Sequence, residues 1–173
     1  MLTVIERMQS MNRSLLNRLR PMALGHVPLE SMLSELVQDR GRQHPDISFT
    51  FSGERLRGSY GDSVDLTIYR CAQESMTNAI KHAEAKHVEV GISETAGAER
   101  QCQLDLFIRD DGRGFDAAEP SGFGFLGMQE RVQALGGEYR VESEIGRGTC
   151  VRIAIPVNHQ NDASESRVEE SAP

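Results

Sequence analysis

From Ile47 onward the apolar residues of this chain switch back and forth between two spacings. Ile47, Phe49 and Phe51 alternate with Ser48, Thr50 and Ser52. Val88, Val90 and Ile92 do the same, as do Leu104, Leu106 and Ile108, then Tyr139, Val141 and Ser143, then Val151, Ile153 and Ile155. Alternation at a period of two is the mark of strands with one buried face. Between them, residues 65–85 and 125–135 carry apolar residues at three- and four-residue steps, the mark of amphipathic helices. Gly136-Gly137 stops the second of these. Glu94–Gln101 reads as a polar connection, and Pro156 closes the last strand. Such a chain fits neither an all-helical bundle nor an all-strand barrel. Adjacent strand pairs with helices between them predict an α+β fold, a two-layer α/β sandwich whose mixed sheet is covered by helices.

Two helices precede the strands. Leu2, Ile5, Met8, Leu15, Leu16 and Leu19 form an apolar stripe that ends at Arg20-Pro21, because proline disfavours helical geometry in the residue before it. This N-terminal helix either packs on the body of the chain or belongs to a helical hairpin or dimer bundle. A second helix starts at Pro28, suited to a first helical position, and runs to about Arg40 with Leu29, Met32, Leu33, Leu36 and Val37 inward. Residues 158–173 hold one large aliphatic, Val168, and four acids against Arg167. Too little can be buried there to offset ordering, so a disordered acidic tail is expected.

Composition removes several functions. The net charge of -7 argues against nucleic-acid binding through a broad basic surface. Cys71, Cys102 and Cys150 are few and scattered, which fits neither a disulfide framework nor a four-cysteine zinc site. No apolar run approaches the roughly 20 residues of a membrane-spanning helix, and no signal peptide opens the chain. Direct membrane insertion is not expected, and a reducing, cytoplasmic setting is. The 16 glycines are unevenly placed: seven lie between Gly112 and Gly137.

Four constellations carry possible chemistry. On the helix YRCAQESMTNAIKHA, at about 100° per residue, Glu74, Asn78 and Lys81 share a stripe opposite Tyr69, Ala72, Met76, Ile80 and Ala83. A carboxylate and an amide are hard oxygen donors for Mg²⁺ or its waters, and a lysine meets phosphate oxygens. The plain alternative is a solvated polar row. Next, a strand ends in Asp110-Asp111-Gly112-Arg113-Gly114-Phe115. An aspartate at a strand end accepts from an exocyclic amine such as adenine N6, and glycines let backbone approach a flat base; the alternative is a tight turn. Third, Ser121-Gly122-Phe123-Gly124-Phe125-Leu126-Gly127-Met128 opens a helix, where free backbone N–H groups make an anion site. It is neither a Walker loop nor a dinucleotide fingerprint in context. Last, Gly146-Arg147-Gly148-Thr149 leads into the final strand, as hairpin turn and close backbone approach together.

In this order, the four resemble the ATP-binding fold shared by histidine kinases, DNA gyrase and their relatives, the Bergerat or GHKL fold. The segments QESMTNAIKHAEAKHVEV, DDGRGF, GFGFLGMQERVQALGG and GRGTCVRIAIP are similar to the bacterial two-component sensor kinases that include the nitrate- and hexose-phosphate-sensing proteins. SLLNRLRPMALGHVPLESMLSEL resembles the segment joining their dimerisation helices to the ATP domain, so the likeness spans about residues 12–156. Gln129 stands where arginine is usual and Phe125 where leucine is usual.

The resemblance implies ATP and Mg²⁺ as cofactors. It implies Asn78 on the metal, with Glu74 one helical turn earlier as a candidate base, and Asp110 on adenine, with Gly112 and Gly114 beneath the base. Gly122, Gly124 and Gly127, with Phe125 and Leu126 between them, correspond to the lid and the phosphate-facing helix start. Lys81, His82 and Thr149 complete the ATP-binding set. It further implies a protein histidine kinase whose γ-phosphate goes to a histidine on a dimerisation helix and then to a response-regulator aspartate. The expected partners are that phosphoacceptor helix, a response regulator and a second copy in a homodimer. The rival functions are a degenerate nucleotide-binding interaction module and a gyrase-type ATPase. His26, His44, His82, His87 and His159 are the histidines, and none sits on a helix preceding the first. The expected division is therefore a partial dimerisation helix and linker over 1–24, without the phosphoacceptor helix. The ATP-binding catalytic domain follows over 25–157, and the tail over 158–173.

Overall fold

The structure, a computed structural model, describes residues 27–96, 101–116 and 123–158. The expected helix over 2–20 and the tail beyond Asn158 lie outside the described residues. The elements run α1 (Leu29–Gln43), β1 (Ser48–Glu54), α2 (Asp62–Asn78), a π turn (Ala79–Ala83), β2 (His87–Ala96), β3 (Gln101–Asp110), α3 (Phe123–Gln133), β4 (Glu138–Glu144) and β5 (Gly148–Asn158). The five strands make one mixed sheet in the order β1-β2-β3-β5-β4. β1 and β2, joined through α2, are parallel; the remaining pairs are antiparallel.

The two periodicities meet in one core. Val88, Val90, Ile92, Leu104, Leu106, Ile108, Val151, Ile153 and Ile155 are buried on the inner face of the sheet. Leu29, Leu33, Leu36 and Val37 of α1, Ile68, Ala72 and Met76 of α2, and Met128 and Val132 of α3 fill the other side. The outer face keeps the residues between, such as Glu89, Gln103, Arg109 and Arg152, exposed. This is the two-layer α+β sandwich expected.

Four details depart from the sequence reading. Pro28 sits at the N-cap of α1, not inside it, with φ -54° and ψ 138°. Pro156 does not close β5, which runs on to Asn158. β4 begins at Glu138 opposite Ala154, so Pro156 lies past the end of β4 and pairs with Gln103 alone. Its missing N–H faces an edge that asks for no donor. The polar connection after Glu94 is shorter than expected, because β2 continues to Ala96 and β3 begins at Gln101. Glu94 tolerates its place because Tyr60 Oη donates to its Oε2 at 2.6 Å and Arg57 Nε at 3.0 Å. Finally, the helix that bears Glu74 and Asn78 is α-helical only to Asn78 and then widens into the π turn. Ala79 and Ala83 are buried there, while Ile80, expected inward, is half-buried.

Candidate functional site

A cleft of about 450 Å³ opens between α2 with its π turn, the adjoining ends of β3 and β5, and the first turn of α3. One wall is Glu74, Ser75, Asn78, Ala79, His82 and Ala83; the sheet side is Ile108, Asp110, Thr149 and Val151. Gly124 and Phe125 come from α3. Of the residues singled out in the sequence, Glu74, Asn78, His82, Asp110, Gly114, Gly124, Phe125 and Thr149 therefore line one space.

The others fall elsewhere. Gly122 lies outside the described residues. Leu126 is 53% exposed and does not line the cleft. Gly127 lies on the next turn of α3, where an added Cβ would meet Arg131 Nη1 at 3.8 Å. Lys81 is exposed and also outside the lining. The π turn explains this. An i→i+5 turn advances roughly 80° per residue in place of about 100°, so Lys81 falls about 120° from Asn78 where a regular helix would hold it within about 60°, while His82 stays within about 40°. His82 takes the position that a regular α-helix would give Lys81.

The twin aspartates divide their work. Asp110, at the end of β3, is 9% exposed and its Oδ1 accepts from the Gly112 N–H at 2.9 Å. Burial pushes its pKa up, against the Gly112 and Thr149 backbone donors that hold it down. Asp111 turns away. Its Oδ1 accepts from the backbone N–H groups of Lys86 (2.7 Å) and His87 (2.8 Å), and its Oδ2 lies 2.7 Å from His87 Nδ1. Burial opposes ionisation there, but the His87 backbone donor, the His87 ring and the Lys86 donor outweigh it, and the pKa falls to about 2. Asp111 thus clamps the chain where it leaves the π turn and enters β2.

The two glycines of this motif are fixed by sterics. A Cβ on Gly112 would lie 2.3 Å from Ala83 O. The closeness allows Arg113 N–H to donate to that same carbonyl at 2.7 Å. Gly114 has φ +60°, and a Cβ there would lie 2.0 Å from Glu144 O. Gly112 is therefore a packing joint behind the cleft, while Gly114 forms part of its lining.

At the other end, Glu74 and Asn78 stand one turn apart. Gly124 faces both: a Cβ there would be 2.9 Å from Glu74 Oε1 and 3.9 Å from Asn78 Nδ2. The absence of a side chain leaves room between the acid–amide pair and the start of α3. Among the described residues no group of three or more His, Cys, Asp or Glu converges as a metal cage. One carboxylate and one amide oxygen suit Mg²⁺, which keeps several waters and takes much of its coordination from phosphates.

Sequence reasoning passed over Phe115, Arg113, Ile108 and Val151 as lining residues. Phe115 packs against Phe125 with centroids 5.6 Å apart and rings tilted by 42°. It lay inside a motif already quoted, one residue past the glycines, so position alone could have suggested it.

A family profile described as histidine kinase-, DNA gyrase B- and HSP90-like ATPase matches residues 63–159, more than half of the chain. The chain belongs to this family. The signal transduction histidine-protein kinase/phosphatase DegS of Bacillus subtilis (strain 168) is 32% identical over 146 residues, 80% of this chain and 37% of its own length. DegS of Brevibacillus brevis is 33% identical over 147 residues, 84% of this chain and 36% of its own. The chain thus spans little more than a third of these relatives. The histidine kinase domain of the Erythrobacter litoralis EL346 blue-light activated histidine kinase superposes with a TM-score of 0.59 at 24% identity, over 75% of this chain and 65% of that one. The mycobacterial sensor histidine kinase MprB gives 0.52 at 19%, over 76% and 96%. These two establish the shared fold. Together the findings place the chain in this ATPase family, with its similarity running to the corresponding part of sensor histidine kinases. No helix among the described residues is long and apolar enough to cross a membrane.

Proposed function

We propose that this chain binds Mg-ATP in the cleft and donates the γ-phosphate to a histidine on a dimerisation helix, for relay to a response-regulator aspartate. The observation that carries the reading is one cleft with a buried carboxylate, Asp110, at one end and the Glu74–Asn78 pair at the other. Asp110 accepts from the adenine amine, beside Gly114. Asn78 would hold the hydrated Mg²⁺, which would supply charge neutralisation for the phosphates. The helix start around Gly124 and His82 face the phosphate end. Phosphoryl transfer is mainly positioning and charge stabilisation, so a clamped nucleotide with its terminal phosphate open to a neighbouring helix meets its needs. The bond from the γ-phosphorus to the bridging oxygen breaks, a phosphorus–nitrogen bond forms on the acceptor imidazole, and ADP leaves. Glu74 polarises the incoming imidazole by accepting its proton. In the cell the reaction takes place in the cytoplasm and within a homodimer.

The test mixes the chain with Mg-ATP labelled at the γ-phosphate and a separately made dimerisation helix bearing an acceptor histidine. Acid-labile, base-stable label on that histidine is the expected result. Steady ATP hydrolysis without labelled protein would favour a gyrase-type ATPase. Failure to bind Mg-ATP would leave a docking module.

A further inference from the structure

We infer that Ser143 is a positioning residue that fixes which way the Thr149 hydroxyl faces, and through it the preference for a 6-amino over a 6-oxo purine; the inference rests on the ATP-binding reading above. Ser143 lies on β4 behind the cleft. Its Oγ is 2.9 Å from the Phe115 backbone N, 3.0 Å from Gly148 O and 3.0 Å from Thr149 Oγ1. A hydroxyl has one proton and two lone pairs. The Phe115 N–H only donates, so it occupies one lone pair. The Gly148 carbonyl only accepts, so it takes the Ser143 proton. What remains for Thr149 is the second lone pair, and the Thr149 hydroxyl therefore donates to Ser143.

That assignment determines what Thr149 offers to the cleft. With its proton committed backward, Thr149 Oγ1 presents lone pairs only. Thr149 sits directly opposite Asp110 in the β3–β5 register, and its backbone N–H donates to the Asp110 carboxylate. Two neighbouring groups in the lining, Asp110 and Thr149, are then both acceptors. A ring edge bearing an amine satisfies them; one bearing a carbonyl oxygen sets acceptor against acceptor. Sites built around a buried polar match reject the mismatched analogue strongly, because their own groups are left without partners.

The experiment titrates the chain, in excess Mg²⁺, with ATP and with inosine triphosphate, which differs in carrying a 6-oxo group. In Ser143→Ala the Thr149 proton is free to turn into the cleft and donate to that oxygen. The ratio of ATP to inosine triphosphate affinity should then fall by about tenfold, the worth of one reassigned hydrogen bond. Ser143→Thr keeps the hydroxyl and should keep the wild-type ratio. Should Ser143→Ala melt below the working temperature, Ser143→Cys, whose thiol is a weak partner, makes the same comparison. An unchanged ratio, or equal loss of both affinities, overturns the inference and leaves the ATP site standing. A wild-type chain that binds neither nucleotide removes the ATP reading itself, and the inference with it.

Discussion

Asp110→Asn separates recognition from folding. The carboxylate is buried, and its pKa is raised because burial outweighs the backbone donors from Gly112 and Thr149. A carboxyl whose folded pKa lies above its unfolded value opposes folding once it is ionised. A neutral amide in its place removes that opposition while its Oδ1 still accepts from Gly112 N–H. The melting temperature should stay the same or rise. Binding should behave oppositely. An ionised acceptor facing an exocyclic amine contributes about 1.5–3 kcal/mol, so its loss weakens Mg-ATP binding roughly 10- to 150-fold. The amide turned so that oxygen meets the base would set its NH₂ against the Gly112 N–H, so rotation does not rescue the contact. Titration calorimetry with Mg-ATP near neutral pH, paired with a thermal melt, reads both effects. An affinity within about twofold of wild type, with the fold intact, would refute the adenine assignment.

Asn78→Ala should erase the gain that Mg²⁺ gives to ATP binding and leave adenosine affinity unchanged, compared by calorimetry with Mg-ATP, with ATP plus chelator, and with adenosine. Gly114→Ala combines a left-handed φ of +60° with a Cβ 2.0 Å from Glu144 O. It should cost about 2–4 kcal/mol in denaturant unfolding; a loss below about 0.5 kcal/mol would mean the turn relaxes freely. The Asp111 clamp has a folded pKa of about 2, below the ordinary carboxylate range. Its stabilisation is therefore complete above about pH 4 and disappears as pH falls through 2. The midpoint difference between wild type and Asp111→Asn in urea should close over that interval, and a difference constant from pH 6 to 2 would contradict the clamp.

The sheet was legible because each strand buries one face, so Val88, Val90 and Ile92 or Leu104, Leu106 and Ile108 announce themselves by alternation. Strand ends were not, because they depend on neighbours. Pro156 reads as a stop until β4 is seen to begin opposite Ala154. Glu94 reads as loop until Tyr60 and Arg57, 34 and 37 residues away, are found on its carboxylate. The site was legible as motifs, but its detailed faces were set by contacts no spacing rule contains. The stripe of Glu74, Asn78 and Lys81 follows from regular α-helical rotation; the π turn substitutes His82 for Lys81. Asp110 and Asp111 are indistinguishable by type, and the hydrogen bonds at Lys86 and His87 are what separate them. Ser143 gave no signal beyond its place in a strand.

The π turn also explains why the two ends of the cleft keep their spacing. This segment carries both the Asn78 stripe and the junction with the strand-end loop, and it widens between them at Ala79–Ala83. Its side chains keep His82 on the cleft, and its last carbonyl, Ala83 O, accepts from Arg113 N–H at 2.7 Å. The Arg113 carbonyl in turn accepts from Gly146 N–H at 2.7 Å, which carries the connection into the β4–β5 turn just before Thr149. This chain of contacts is made of backbone atoms, and the close approach at Gly112 is what permits it. The pair Asp110 and Thr149 at one end of the cleft and the pair Glu74 and Asn78 at the other therefore stand on one continuous backbone frame. Preorganisation of this kind lowers the ordering cost of binding, and it leaves the cleft-facing side chains free to vary without changing the distance between the groups they present.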